Sequence, residues 1–350
     1  MKRLIPLAAV FTAVLAAVPA FGQQPPQDLP PIIKPKFSEP LRPIPAVPSR
    51  KNVPLDAALR AKAHDAVEKA FTNADMYIRS NAVEAAQHTF APADAKALAL
   101  KALSDDAPVV RFAGCIACGD LGYVEAHDNL YKMAYDKDPN VRLAARYGLH
   151  KLGDRSLTQE MLLGLNDERS GVRGNTVMLL GMLGEKSAIP PLRRRYTDGS
   201  PLVRMQVAEA LWKLSGDRES MEHVLSGTVS PYGSEQVAAL LAIVSTHDTS
   251  VGGNVASFLR SETPEVAITA ARCLGTLGSD EGLGVVYKYI ESPDSRQRSM
   301  CAQAFGEIAR SDTQEALQKL LADTAPDVQL AAATAILKLK TPTTATANGQ

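Results

Sequence analysis

The chain has 350 residues, 45% of them hydrophobic, with 38 basic and 38 acidic side chains and a formal net charge of zero. That balance argues against a protein whose main task is gripping a phosphate backbone, since such binding is driven by an excess of Lys and Arg. Aromatic residues make up only 5%, a mix that suits packed helices better than sheet sandwiches.

Residues 1–22 come first. Lys2 and Arg3 give a positive start, Leu4 to Val18 is apolar apart from Pro6 and Thr12, and the small residues Ala20 and Gly22 follow. This is the three-part pattern of a secretory signal peptide, and the apolar run is short for a membrane span. The expectation is an exported protein, periplasmic or secreted once the segment is removed, with any membrane association only indirect. Residues 23–53 form a Pro-rich linker. From Gln23 to Pro54 there are 10 prolines in 32 residues, and proline fixes φ and lacks a backbone donor, so this stretch is expected to be extended. It is either a semi-rigid spacer or a strap on the folded part, with Ile32, Ile33 and Phe37 as apolar anchors. At the other end, residues 341–350 are small and polar and read as a disordered tail.

Residues 54–340 hold a repeat. Counting from a turn residue as position zero, the units start at Pro108, Pro139, Ser170, Pro201, Pro264, Ser295 and Pro326. One blurred unit, residues 234–245, lies between Pro201 and Pro264; a drifted one, residues 77–86, precedes Pro108. Residues 55–71 read as an opening helix. Position two is Val in most units (Val110, Val141, Val172, Val203, Val266, Val328). Position three is mostly Arg (Arg111, Arg142, Arg173, Arg204, Arg298), but Ala267 and Gln329 depart from it. Position ten is mostly Leu, position thirteen Leu or Ile, and Gly often follows, as at Gly122, Gly153, Gly184 and Gly278. Offsets two, six, ten and thirteen share one face of an α-helix, with Pro opening it and Gly closing it. A second, less regular helix precedes each phrase. A period of 31 residues built from two helices means stacked hairpins that bury their apolar faces on one another. The expected fold is all-α: a right-handed α-solenoid of about nine helical hairpins, preceded by the Pro-rich extended segment.

The phrase Asp-Pro-x-Val-Arg-x-x-Ala-x-x-x-Leu-x-x-Leu-Gly, complete at residues 138–153, resembles the HEAT repeat, in particular the bacterial type also found in phycobilisome lyases. The resemblance implies an Asp–Arg ladder, with Asp138 pairing Arg142 and Asp198 pairing Arg204, interrupted at Ala267 and Gln329. It also implies that the second helices line a concave face on which positions four, eight and twelve are exposed. Here those positions carry Phe112, Ile116, Leu143, Tyr147, Met178, Met182 and Met205, with Trp212 at position eleven. An exposed apolar, Met-rich face is expected to bind. These residues, with Lys151 and Lys213 at the rim, are the partner-binding candidates, and a protein or extended peptide is the expected partner.

No catalytic, cofactor or metal site is expected. Cys115 and Cys118 form a CxxC pair, but both fall mid-helix at core positions, so they read as buried thiols rather than a redox pair. Cys273 and Cys301 lie in adjacent units, where a disulfide would need their Cα atoms within about 7 Å. The histidines are spread along the repeat rather than convergent. The function read from the sequence is an exported protein-binding or scaffolding module. The alternatives are a lyase or isomerase acting on a chromophore, implied by the resemblance, and a structural envelope subunit.

Overall fold

The computed structural model describes residues 43–51, 53–216, 218–245 and 252–339. The segment expected to be a signal peptide, most of the Pro-rich linker and the tail lie outside them. Nine hairpins follow in order among the described residues: α1 (Ala57–Ala70) with α2 (Met76–Thr89), α3 (Pro92–Ala102) with α4 (Pro108–Asp120), and α5 (His127–Met133) with α6 (Pro139–Lys151). Next, a 3-10 stretch at Gln159–Asn166 pairs with α7 (Ser170–Leu183), α8 (Ile189–Arg193) with α9 (Pro201–Ser215), and α10 (Arg218–Gly227) with α11 (Gly233–Ser245). The last three pair α12 (Gly252–Ser257) with α13 (Pro264–Thr276), α14 (Leu283–Tyr289) with α15 (Ser295–Ile308), and α16 (Gln314–Leu321) with α17 (Pro326–Lys338). No strand occurs among the described residues, and no helix there is long and apolar enough to cross a membrane.

The drifted and blurred units fall into register once their turns are examined. Position minus three is Asn, Asp or Ser in every unit, and its side chain accepts the amide two residues on: Asn73, Asp105, Asp136, Asp167, Asp198, Ser230, Ser261, Ser292 and Asp323 all do so. This turn bends the chain into each second helix. Position three then reaches back to the carbonyl of that same residue, through Arg79, Arg111, Arg142, Arg173, Arg204 and Arg298, and through Gln236 and Gln329 where Arg is lost. Ala267 has no group to do this.

The ladder differs from the expected one. Asp138 caps its own helix, accepting from the amides of Asn140 and Val141, while Arg142 donates to main-chain carbonyls. Four of these Arg pair with a carboxylate, and it belongs to the turn of the next unit: Arg79 with Asp105, Arg111 with Asp136, Arg173 with Asp198 and Arg298 with Asp323, each held by two N–H groups. Arg204 reaches only the carbonyl of Asp198. One Asp therefore shapes its own turn and ties the preceding hairpin to it.

Successive second helices pack in the order α2, α4, α6, α7, α9, α11, α13, α15, α17. Glycine at position eleven allows close approach; a Cβ on Gly119 would lie 2.7 Å from the Cα of Gly148, and one on Gly275 2.7 Å from the amide of Ile308. The series then closes, because α17 packs against both α1 and α2. Arg60 of α1 donates to the carbonyls of Ile336, Leu337 and Leu339 at the C-terminal end of α17, where the last carbonyls of a helix lack intrahelical donors. The end of the Pro-rich segment runs over the last hairpins. Arg310 donates to the Pro48 carbonyl, the Lys51 amide to Asp312, and Gln314 bonds both the Pro54 carbonyl and the Asp56 amide. Gly284 makes room for it, since a Cβ there would collide with the carbonyls of Pro45 and Ala46. The solenoid is thus a closed ring fastened by its N-terminal segment, and residues 43–51, 53 and 54 act as a strap.

Candidate functional site

The ring decides what the predicted inner face can do. Phe112, Ile116, Leu143, Tyr147 and Met178 are 6%, 6%, 3%, 1% and 3% exposed, so they form core rather than an open groove. Position four does not face inward at all. Leu143 packs toward Gly164 and Met205 toward Gly227, in the first element of the following hairpin. Met182, Met205 and Trp212 are half-buried against the core. Lys213 is bound to Glu209 at 2.7 Å, and Lys151 is exposed at the rim, 3.4 Å from Asp120.

Positions eight and twelve do face their counterparts in neighbouring units, and they form two stacked rows around the ring. Arg272 donates to Gln303, both at position eight. Lys338 donates to Glu307, and Lys151 approaches Asp120, all at position twelve. The Tyr147 hydroxyl donates to Asp120 at 2.6 Å, and the Ser245 hydroxyl to Glu209 at 2.5 Å. His88 stands at position twelve of the first unit. Burial and the Lys338 charge push its pKa down to about 4, against the pull of Asp120 and Glu307. Burial pushes Glu209 up, opposed by Lys213; in Glu307 the same burial is outweighed by the charges of Lys338 and Arg272, which hold it low. Tyr147 is raised by burial and by the Asp120 charge. Ile116, Met178 and Leu241 fill position eight elsewhere. Apart from the Nε2 of His88, the polar groups named here are engaged with their neighbours, as in a network that holds a structure together.

All four cysteines are buried and free. Burial raises Cys115 and pushes Cys118 and Cys273 up to about 12, which makes their thiolates scarce. His127 lies between Asp128 and Asp154, and His150 bonds Thr158. One group, His64, Asp65 and Glu68 on a single turn of α1, brings three ligand-type atoms within 4.8 Å.

Sequence reasoning missed the outer surface. Val124, Tyr131, Tyr135 and Leu163 are 65%, 44%, 61% and 69% exposed; Tyr131 lies on α5, Val124 just before it and Tyr135 in the turn after it, and Leu163 on the 3-10 stretch of the fourth hairpin. The Tyr131 and Tyr135 rings meet edge to face at 5.7 Å. The Arg146–Glu160 bridge, which influences Tyr135, joins α6 to the 3-10 stretch that carries Leu163. The first helices are too short and irregular for periodicity to flag these side chains.

The family model for HEAT repeats matches residues 65–150, 158–244 and 254–337. A search of the curated proteins finds no match. Among solved structures the chain is similar to the complex of CpcE and CpcF of phycocyanin lyase from a Nostoc species, at 18% identity and a TM-score of 0.44, covering 69% of this chain and 98% of that one. It is also similar to human deoxyhypusine hydroxylase in complex with glycerol, at 17% identity and a TM-score of 0.37, covering 71% and 96%. The repeat match spans most of the chain and agrees with the turn-by-turn register: the chain belongs to the HEAT-repeat family.

Proposed function

We propose that this HEAT-repeat protein is an exported, non-catalytic binding or scaffolding module that engages a protein or peptide partner on its outer face. The observation that carries the reading is the concentration of Val124, Tyr131, Tyr135 and Leu163 on neighbouring outer elements, all 44% exposed or more. Single exposed apolar side chains are ordinary, but a cluster rimmed by charge marks a docking surface, and Tyr is a favoured anchor there. The inner-face candidates are core in the closed ring and support stability. Export rests on the pattern of residues 1–22, and mass spectrometry of the mature N-terminus tests it.

The binding test uses the mature protein beside a Tyr131→Glu, Leu163→Glu variant with an unchanged circular-dichroism melt. A partner captured from the envelope fraction, then measured in purified form, is expected to lose at least tenfold in affinity with the variant. Equal affinity for both sinks the outer-face reading. A visible absorption band on the purified protein points instead to chromophore chemistry.

A further inference from the structure

The ring closes where α2 meets α17 and α1. Arg60 fastens α1 to α17, and the strap fastens the start of α1 to α16, so the place able to part lies between α2 and the α1–α17 pair, tethered by residues 71–75. Across it α2 packs on both α1 and α17. His64 of α1 stacks on Phe90 at 3.9 Å, and His88 of α2 feels the charge of Lys338 on α17. The Nε2 of His88 is shut off from solvent and has no hydrogen-bond partner. The charged groups acting on it are Lys338 from α17, Glu307 from α15 and Asp120 from α4. Both carboxylates are already engaged, Glu307 by Lys338 and Asp120 by Tyr147, Gln87 and Lys151. An imidazolium formed here is cut off from water at Nε2 and gains a lysine charge, whereas an open seam gives it water.

We propose that the closed ring is an acid-sensitive clasp: protonation of His88 parts the seam between α2 and the α1–α17 pair and converts the ring into an open solenoid. Opening brings water to the faces that α2, α1 and α17 bury against one another in the closed form. This is independent of the outer-face reading above.

The sign follows from the neutral form being the one the closed ring accepts. Closure is at full strength above the ordinary imidazole value of 6.5 and is lost as pH falls from there toward about 4. That displacement weakens closure roughly 30-fold at pH 5 and roughly 300-fold below pH 4.

The test is hydrogen exchange of the full chain between pH 7.5 and 4.5, corrected for intrinsic rates, on wild type and His88→Gln. Expected in wild type is a loss of protection at residues 84–90 and 330–339 approaching 30-fold by pH 5, with α9 and α11 changing less than a few-fold. His88→Gln, neutral throughout, is expected to show no such step. The same step in His88→Gln, or parallel loss in α9 and α11, overturns the proposal. Should that variant not fold, the proton NMR titration of the wild-type His88 ring decides: a midpoint below about 5 supports the clasp, and one above about 6 overturns it.

Discussion

Removing the Asp136 carboxylate tests the ladder that joins one hairpin to the next. Asp136 accepts two N–H bonds from Arg111, at 2.9 and 3.0 Å, and the amide of Asp138 at 2.8 Å. Both charged side chains are more than nine-tenths out of solvent, at 8% and 9% exposure. Burial pushes Asp136 up, but the Arg111 hydrogen bonds and the Asp138 amide outweigh it and hold the carboxyl below the usual range. In Asp136→Ala the turn loses its acceptor, worth about 1 kcal/mol, and Arg111 keeps only the carbonyls of Asp105 and Asp106. Breaking one side of a buried pair costs about 3–5 kcal/mol; this pair sits at the edge of the ring and the freed guanidinium recovers some water, so about 3 kcal/mol is expected. Asp136→Asn keeps the turn and one acceptor for Arg111, and is expected to cost about 1–2 kcal/mol. The control is Glu222→Ala, which removes the partner of Arg218 in a bridge that is 86% and 57% exposed and is expected to stay within about 0.5 kcal/mol. Urea unfolding followed by circular dichroism, with the slope checked for constancy, reads all three. Equal midpoints for Asp136→Ala and Glu222→Ala refute the claim that the ladder ties the hairpins. The pH dependence has a definite sign: a depressed carboxyl stabilises above its unfolded value near 3.9, and that contribution fades as pH falls through the folded value.

Two further outcomes follow from single positions. Ala309 holds φ +54° at the helix end where other units place Gly, so Ala309→Gly is expected to raise stability by about 0.5–1 kcal/mol, read as a higher urea midpoint. The thiols of Cys118 and Cys273, at about 12, are expected to resist iodoacetamide at pH 8 in the native protein and to react in urea, as counted by mass spectrometry.

Much of the architecture is legible because its determinants are local. Pro at position zero, Val at two and Leu at ten lie within one helix, and their spacing repeats. The Arg at position three stands out for the same reason, yet its carboxylate partner lies 25 residues on, as with Arg111 and Asp136, so the in-phrase pairing of Asp138 with Arg142 was the natural but mistaken choice. The turn residue at minus three was overlooked because Asn, Asp and Ser share a role there without sharing an identity. Closure was invisible for a stronger reason. Arg60 meets Ile336 across 276 residues and Lys51 meets Asp312 across 261, and no periodic pattern encodes such a contact. The outer patch escaped notice because α5 and the 3-10 stretch at Gln159–Asn166 are too short to display a period.

Closure also explains the apolar stretch of the inner face. In an open solenoid Ile116, Tyr147 and Met178 stand on a water-facing surface and call for a partner to cover them. In the ring all three are buried, and the apolar segment is continuous with the core. The two cases predict different outcomes for Met178→Glu. On an exposed groove the substitution stays within about 0.5 kcal/mol and removes binding. At 3% exposure it places a carboxylate in the core, and a loss of several kcal/mol is expected. Thermal unfolding of Met178→Glu beside Met178→Leu, which keeps the volume and is expected to cost under about 1.5 kcal/mol, separates them. A Met178→Glu protein that melts with wild type means that the inner face is open in solution, and that the ring is not the state the chain holds there.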